Sequence, residues 1–277
     1  MKNRTINLLQ IILLALLIGL ISGCAGRQEH YSSSVVEYLY SGEQVVQKPE
    51  VPTLALPLKV GIAFVPESFS YTDMLLSESQ KMTLLETVAK DFKQYAFVEG
   101  IEIIPSDYLV SKGGFRNLDQ LRTMYGIDVI ALVSFDQKQF TDEGVTSLAY
   151  WTIVGAYIVP GEKNDTHTML DVAVYDIESR KMLFRAPGIS HIKGLSTPIN
   201  LTEELRSDGI KGFNKASEKL VVNLNRELER FKKKVKESPQ NYKVIHKEGY
   251  TGGGSVDTSL LLIMMLASGY GFWMRKS

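Results

Sequence analysis

Residues 58–66 read Leu-Lys-Val-Gly-Ile-Ala-Phe-Val-Pro, and residues 128–135 read Asp-Val-Ile-Ala-Leu-Val-Ser-Phe. Each is a short apolar run bounded by a breaker or a charge, the pattern of a strand buried on both faces. Pro66 lacks an N–H and closes the first run. Between the two, residues 77–98 place Met82, Leu85, Val88, Ala89, Phe92 and Phe97 near helical spacing. A short second strand is expected over Ile101–Pro105, and a second helix over Leu118–Tyr125 with Asn117 as its N-cap. The order so far is βαβαβ.

Beyond Gly144 the pattern changes to a meander. Strands are expected over Leu148–Val159 and Met169–Asp176, joined by the polar turn Gly161-Glu162-Lys163-Asn164-Asp165. A third over Lys181–Arg185 follows a turn at Glu178-Ser179. A long helix is expected from about Glu203 to Glu237, with room for a break at Asp208-Gly209. Its Ile210, Phe213, Ala216, Leu220, Leu224, Leu228, Phe231 and Val235 keep three-and-four spacing, so one face is buried. The expectation is a single mixed-sheet α/β (α+β) domain over 58–240, in the order βαβαβ-β-β-α. That order resembles periplasmic lipoprotein domains of the curli-secretion and Tol-associated type, a likeness that does not fix function.

The 277 residues carry 31 Lys+Arg against 31 Asp+Glu. A chain that tracked phosphates would carry a basic excess, so no nucleic-acid partner is expected. There is one cysteine, Cys24, so no intramolecular disulfide can form.

The N-terminus accounts for that cysteine. Lys2 and Arg4 precede an apolar stretch from Ile6 to Ile21, followed by Ser22-Gly23-Cys24. A positive start, an apolar middle and small residues before a cleavage point describe a secretory signal peptide over 1–23. Ile21-Ser22-Gly23-Cys24 closely resembles the bacterial lipobox. The resemblance implies a diacylglyceryl group on the Cys24 thiol, cleavage between Gly23 and Cys24, and processing by the lipoprotein enzymes. Ala25 occupies the place where Asp would signal inner-membrane retention, which favours an outer-membrane anchor facing the periplasm or the cell surface. Residues 24–57 are rich in Ser, Gln, Glu and Pro and read as a tether, with a short strand at Val35–Tyr40.

The C-terminus carries a second apolar segment. Gly252-Gly253-Gly254-Ser255 precedes an apolar run from Val256 to Met274, closed by Arg275 and Lys276. The run is about nineteen residues, near the minimum for a membrane-spanning helix. Tyr270, Phe272 and Trp273 stand at its cytoplasmic end, and the two basic residues hold that end inside. Asp257 lies near the outer end. Glycine before a membrane helix keeps the backbone accessible to a protease. The order of glycines, apolar helix and basic end resembles the GlyGly tail recognised by rhombosortases, the rhomboid-like sorting proteases. With the lipobox, the chain resembles the rhombotarget lipoprotein family. This implies cleavage within or just after Gly252–Ser255 and loss of the 256–277 tail, with 241–255 as linker. The run of three glycines and the early Asp257 depart from the commonest tail.

No catalytic constellation stands out. His30, His167, His191 and His246 lack metal-ligand spacing, and no Gly-x-Ser-x-Gly elbow occurs. Gly113-Gly114 reads as a turn, and Tyr150-Trp151 as a strand packing position. Lys232-Lys233-Lys234 with Lys236 is a solvated helix end favoured by the dipole, or a contact for anionic headgroups. The expectation is a lipid-anchored envelope protein with a binding or assembly role toward an envelope partner. No catalytic residue, metal or cofactor is expected. Two rivals stand beside it: an envelope enzyme without a motif, and a structural tether that keeps both anchors.

Overall fold

The structure is a computed structural model that describes residues 27–40, 50–66, 76–143, 162–197 and 199–250. Cys24, the glycine motif, both apolar end segments and the strand expected over Leu148–Val159 lie outside these residues. Among the described residues, no helix is long and apolar enough to cross a membrane.

The chain runs β1 (Arg27–Ser32), α1 (Val35–Tyr40), β2 (Thr53–Leu56), β3 (Leu58–Phe64), α2 (Glu78–Phe92), β4 (Val98–Ile103) and α3 (Gly114–Tyr125). It continues with β5 (Val129–Glu143), β6 (Glu162–Asp176), β7 (Lys181–Ser196), α4 (Leu201–Glu237) and β8 (Lys243–His246). The main sheet has the order β4-β3-β5-β6-β7, with β1 pairing antiparallel along the outer half of β5. β3 is parallel to β4 and β5, whereas β5, β6 and β7 form an antiparallel meander. The fold is a mixed α/β single-sheet domain. β2 and β8 make a separate parallel pair.

Strand periodicity divides the core into two layers. Val129, Ala131, Val133 and Phe135 of β5 face α2 and α4, together with Leu170, Val172 and Val174 of β6. Ile130 and Leu132 face α1 and α3, with Ala173 and Tyr175. A strand with helices on both sides is apolar at every position, which is why the two quoted runs read as continuous.

Helix ends follow local chemistry. Ser77 caps α2 in a capping box: its hydroxyl accepts from the Gln80 N–H, and the Gln80 side chain accepts from the Ser77 N–H. Gly126 ends α3 at φ 63°, a conformation that favours glycine.

Several expectations are corrected. Val35–Tyr40 is a helix, because Val35, Tyr38 and Leu39 sit at i, i+3 and i+4 and bury one face. The segment 24–57 is not a plain tether, since Arg27–Ser32 and Thr53–Leu56 are strands held by partners remote in sequence. Lys243–His246, expected as linker, is the strand β8. Asn117 lies inside α3, which starts at Gly114. Its carboxamide instead accepts from the Tyr38 hydroxyl at 2.8 Å and the Val110 N–H at 2.9 Å. Glu162–Asp165 belongs to β6 rather than a turn, and β7 runs on to Ser196. α4 is unbroken at Asp208-Gly209, where Gln137 Nε2 donates to the Gly209 carbonyl at 3.0 Å.

Candidate functional site

Two places in the described structure have the makings of a site. The first is a cavity of about 380 Å³ between the β3–β4 end of the sheet and the helices α2 and α4. Leu58, Val60, Phe97, Ile101, Leu224 and Phe231 are among its walls, and Tyr250 lines it too. The carbon-rich lining follows from the strand and helix periodicities that built the core, but here the sheet and the helices α2 and α4 leave a space between them. Drug-sized ligands occupy apolar pockets of similar volume.

The polar groups of the cavity wall are few. Lys232 and Lys236 reach it from the last turns of α4. The Lys232 ammonium bonds Glu229 at 2.8 Å and lies 5.7 Å from the Tyr95 ring centre and 5.8 Å from that of Phe97. The lysine run at the end of α4 is thus more than a solvated end: two of its members border an apolar space. Lys234 lies over the Tyr242 ring instead, at 5.9 Å.

The second place is on the face of the β6–β7 ribbon away from α4. Residues alternate along both strands, so Asn164, Thr166, Thr168 and Ser190 are buried against α4 while Asp165, His167 and His191 point outward. The register sets His167 directly across from His191. Their rings stack 4.1 Å apart with planes 16° from parallel. His167 Nε2 lies 3.0 Å from Asp165 Oδ1, and His191 Nε2 contacts the same oxygen. The Phe140 ring meets His167 edge-on at 6.3 Å. Nearby, His30 Nε2 lies 3.2 Å from Asp136.

The expectation that the histidines stand apart is therefore corrected for His167 and His191. Twenty-four residues separate them in sequence, outside any ligand-spacing motif, and only the register of a long hairpin joins them. The signal that could have found them is the alternation of Asp165 and His167 on one strand face. The predicted site residues Gly23, Cys24, Gly252, Gly253, Gly254, Ser255, Arg275 and Lys276 lie outside the described residues.

No family model and no curated protein matches this chain. Among solved structures, a neuraminyllactose-binding hemagglutinin homologue from Helicobacter pylori aligns with 72% of this chain and 98% of its own, at 11% identity and a TM-score of 0.32. The PelC dodecamer from Paraburkholderia phytofirmans aligns with 70% of this chain and 98% of its own, at 10% identity and a TM-score of 0.24. Superpositions this loose carry no argument about the fold or the function of the chain.

Proposed function

We propose that this chain is a bacterial envelope lipoprotein whose folded domain binds, without catalysis, an apolar chain that carries an anionic head. In this reading residues 1–23 are a signal peptide and Cys24 carries the lipid. A rhomboid-like sorting protease cuts at Gly252–Ser255, and residues 256–277 are the transmembrane tail that is lost. The resemblance to the rhombotarget lipoproteins supports the two ends.

The cavity supports the binding role. Its apolar walls suit a hydrocarbon chain, whose burial gains about 25 cal/mol per Å². Lys232 and Lys236 at the wall suit a carboxylate or phosphate. The described lining residues are aliphatic and aromatic apart from the two lysines and the Tyr250 hydroxyl, a set that suits holding a hydrocarbon chain. The experiment is displacement of a fluorescent long-chain fatty acid from the full-length protein. Binding should saturate at one per chain and fall sharply in Val60→Phe, which narrows the cavity without removing a partner. Equal binding by a Val60→Phe protein of unchanged stability would sink the reading.

One observation favours the second reading, a tether between two membranes. Arg27, three residues after Cys24, pairs with Thr141 near the far end of β5. Lys247, near the other terminus, bonds Asp128 just before the start of β5. At about 3.3 Å per residue the two points are roughly 40 Å apart. Two retained anchors would then leave from opposite ends of the sheet. Intact mass of the protein from its native membrane separates the readings. A chain from acylated Cys24 to the glycines supports the first, and a chain still ending at Ser277 supports the tether.

A further inference from the structure

Three donor atoms converge on the outer face of β6 and β7. Asp165 Oδ1, His167 Nε2 and His191 Nε2 all lie within 4.8 Å of one another. We infer that Asp165, His167 and His191 are a binding site for a divalent transition ion of the zinc class, with a fourth coordination position open to solvent.

The donor set points to this class. Two imidazole nitrogens and one carboxylate oxygen suit zinc and its neighbours, whereas calcium and magnesium want oxygen alone. Three protein ligands with one open position is the arrangement of zinc sites that accept water or an outside ligand. Zinc bonds of about 2.0–2.2 Å at tetrahedral angles put donor atoms about 3.4 Å apart. The present separations, 3.0 Å from His167 to Asp165 and none above 4.8 Å, need only small side-chain movements to reach that.

The backbone that carries the donors is fixed. His167 and His191 are direct cross-strand partners in a ladder running from Glu162 to Asp176, and Asp165 is two residues before His167 on the same face. Beneath them, Thr168, Ser190 and Gln137 lock the ribbon to α4: Gln137 donates to Thr168 at 2.7 Å, and Ser190 to the Gly212 carbonyl at 2.6 Å. The rings themselves reach solvent, with His167 and His191 53% and 41% exposed.

Two cations oppose the ion. Lys138 is the cross-strand partner of His167, and Lys193 that of Asp165. Both have long stems on an exposed face and can carry their ammonium groups outward. They weaken affinity without blocking the position.

The test uses the full-length protein in detergent micelles, stripped with chelator and titrated with Co²⁺ alone. The expected result is one ion per chain with the intense visible absorption of four-coordinate cobalt, displaced by Zn²⁺. Asp165→Asn, His167→Asn and His191→Asn should each weaken binding by at least about tenfold. His30→Asn, beside Asp136, should leave it unchanged. All four positions are solvent-accessible, so thermal melting should confirm that each variant folds. Co²⁺ binding no tighter in the wild type than in the His167→Asn/His191→Asn double variant would overturn the inference. So would Zn²⁺ that leaves the ring-nitrogen NMR shifts of both histidines unmoved.

Discussion

Gly188 of β7 lies directly under Ala216 of α4: a Cβ on the glycine would stand 2.1 Å from the Ala216 carbonyl oxygen. It would also meet the Leu220 backbone nitrogen at 2.8 Å. The obstacle is helix backbone, which cannot step aside as a flexible side chain can. The same closeness recurs at Gly212, where an added Cβ would come 2.5 Å from Thr168 Oγ1. At Gly188 helix and ribbon touch almost backbone to backbone, on the face of the ribbon opposite Asp165, His167 and His191.

Gly188→Ala should therefore destabilise the domain by about 1–3 kcal/mol, the usual cost of overpacking. Gly100→Ala in β4 is the control, because nothing lies within 4 Å of its added Cβ. It should be neutral or stabilising by up to about 1 kcal/mol, through the less flexible unfolded chain. Urea titrations of both variants test the pair. Equal midpoints would mean that α4 is not pressed against β7.

Asn117 carries a second test. Its carboxamide satisfies the Tyr38 hydroxyl and the Val110 N–H, and burial pushes the Tyr38 phenol well up, so Tyr38 stays a donor. Asn117→Leu strands both donors and should cost about 2–3 kcal/mol. Tyr38→Phe alone should cost about 1 kcal/mol. A double-mutant cycle on denaturation midpoints should return a coupling of about 1 kcal/mol. Additive losses would mean that the bond contributes nothing.

Asp171 should titrate above the ordinary aspartate range. Burial raises its carboxyl, and the Arg185 guanidinium, bonded to both oxygens at 2.7 Å, pulls the other way without cancelling it. A folded value above the unfolded one means that the protonated form favours folding. The stability it contributes is complete below the unfolded value and is lost as pH rises through the folded one. Carbon-detected NMR of the carboxyl should give a midpoint above a model aspartate, moving higher in Arg185→Gln. A midpoint that stays put in the variant would show that Arg185 does not set it.

Lys247 should hold β8 in place. Burial pulls its ammonium down, but Asp128 at 3.2 Å and Glu99 at 3.3 Å outweigh that and raise it. A raised folded value keeps this contribution below the unfolded value and loses it as pH climbs through the folded one. Lys247→Met should speed hydrogen exchange of the amides at Lys243–His246 while leaving those of β5 protected. Uniform acceleration in both strands would mean that β8 opens only with the whole domain.

The secondary structure was legible wherever burial obeyed a local period. The apolar runs at 58–66 and 128–135 and the i, i+3, i+4 face of α4 each carry their own signal. Val35–Tyr40 misled because β-branched and aromatic residues favour strands in the average, while here Val35 and Tyr38 share a helical face with Leu39 against α3. The 24–57 segment misled because its strands are short and their partners are remote in sequence. Arg27–Ser32 is a strand by virtue of the hydrogen bonds β5 offers it.

By itself the sequence determined the βαβαβ opening of the central domain, the two-sided burial of its parallel strands and the amphipathic course of α4. These depend on residues within a few positions of one another, and their periods survive without any partner. Only the tertiary structure decided the cavity, which is a volume two separately legible layers fail to fill. Only it joined His167 to His191, since the register of a fifteen-residue ladder is the sum of many pairings. No single residue or short spacing records that sum, and a slip of one place between β6 and β7 would have put the two imidazoles on opposite faces of the sheet.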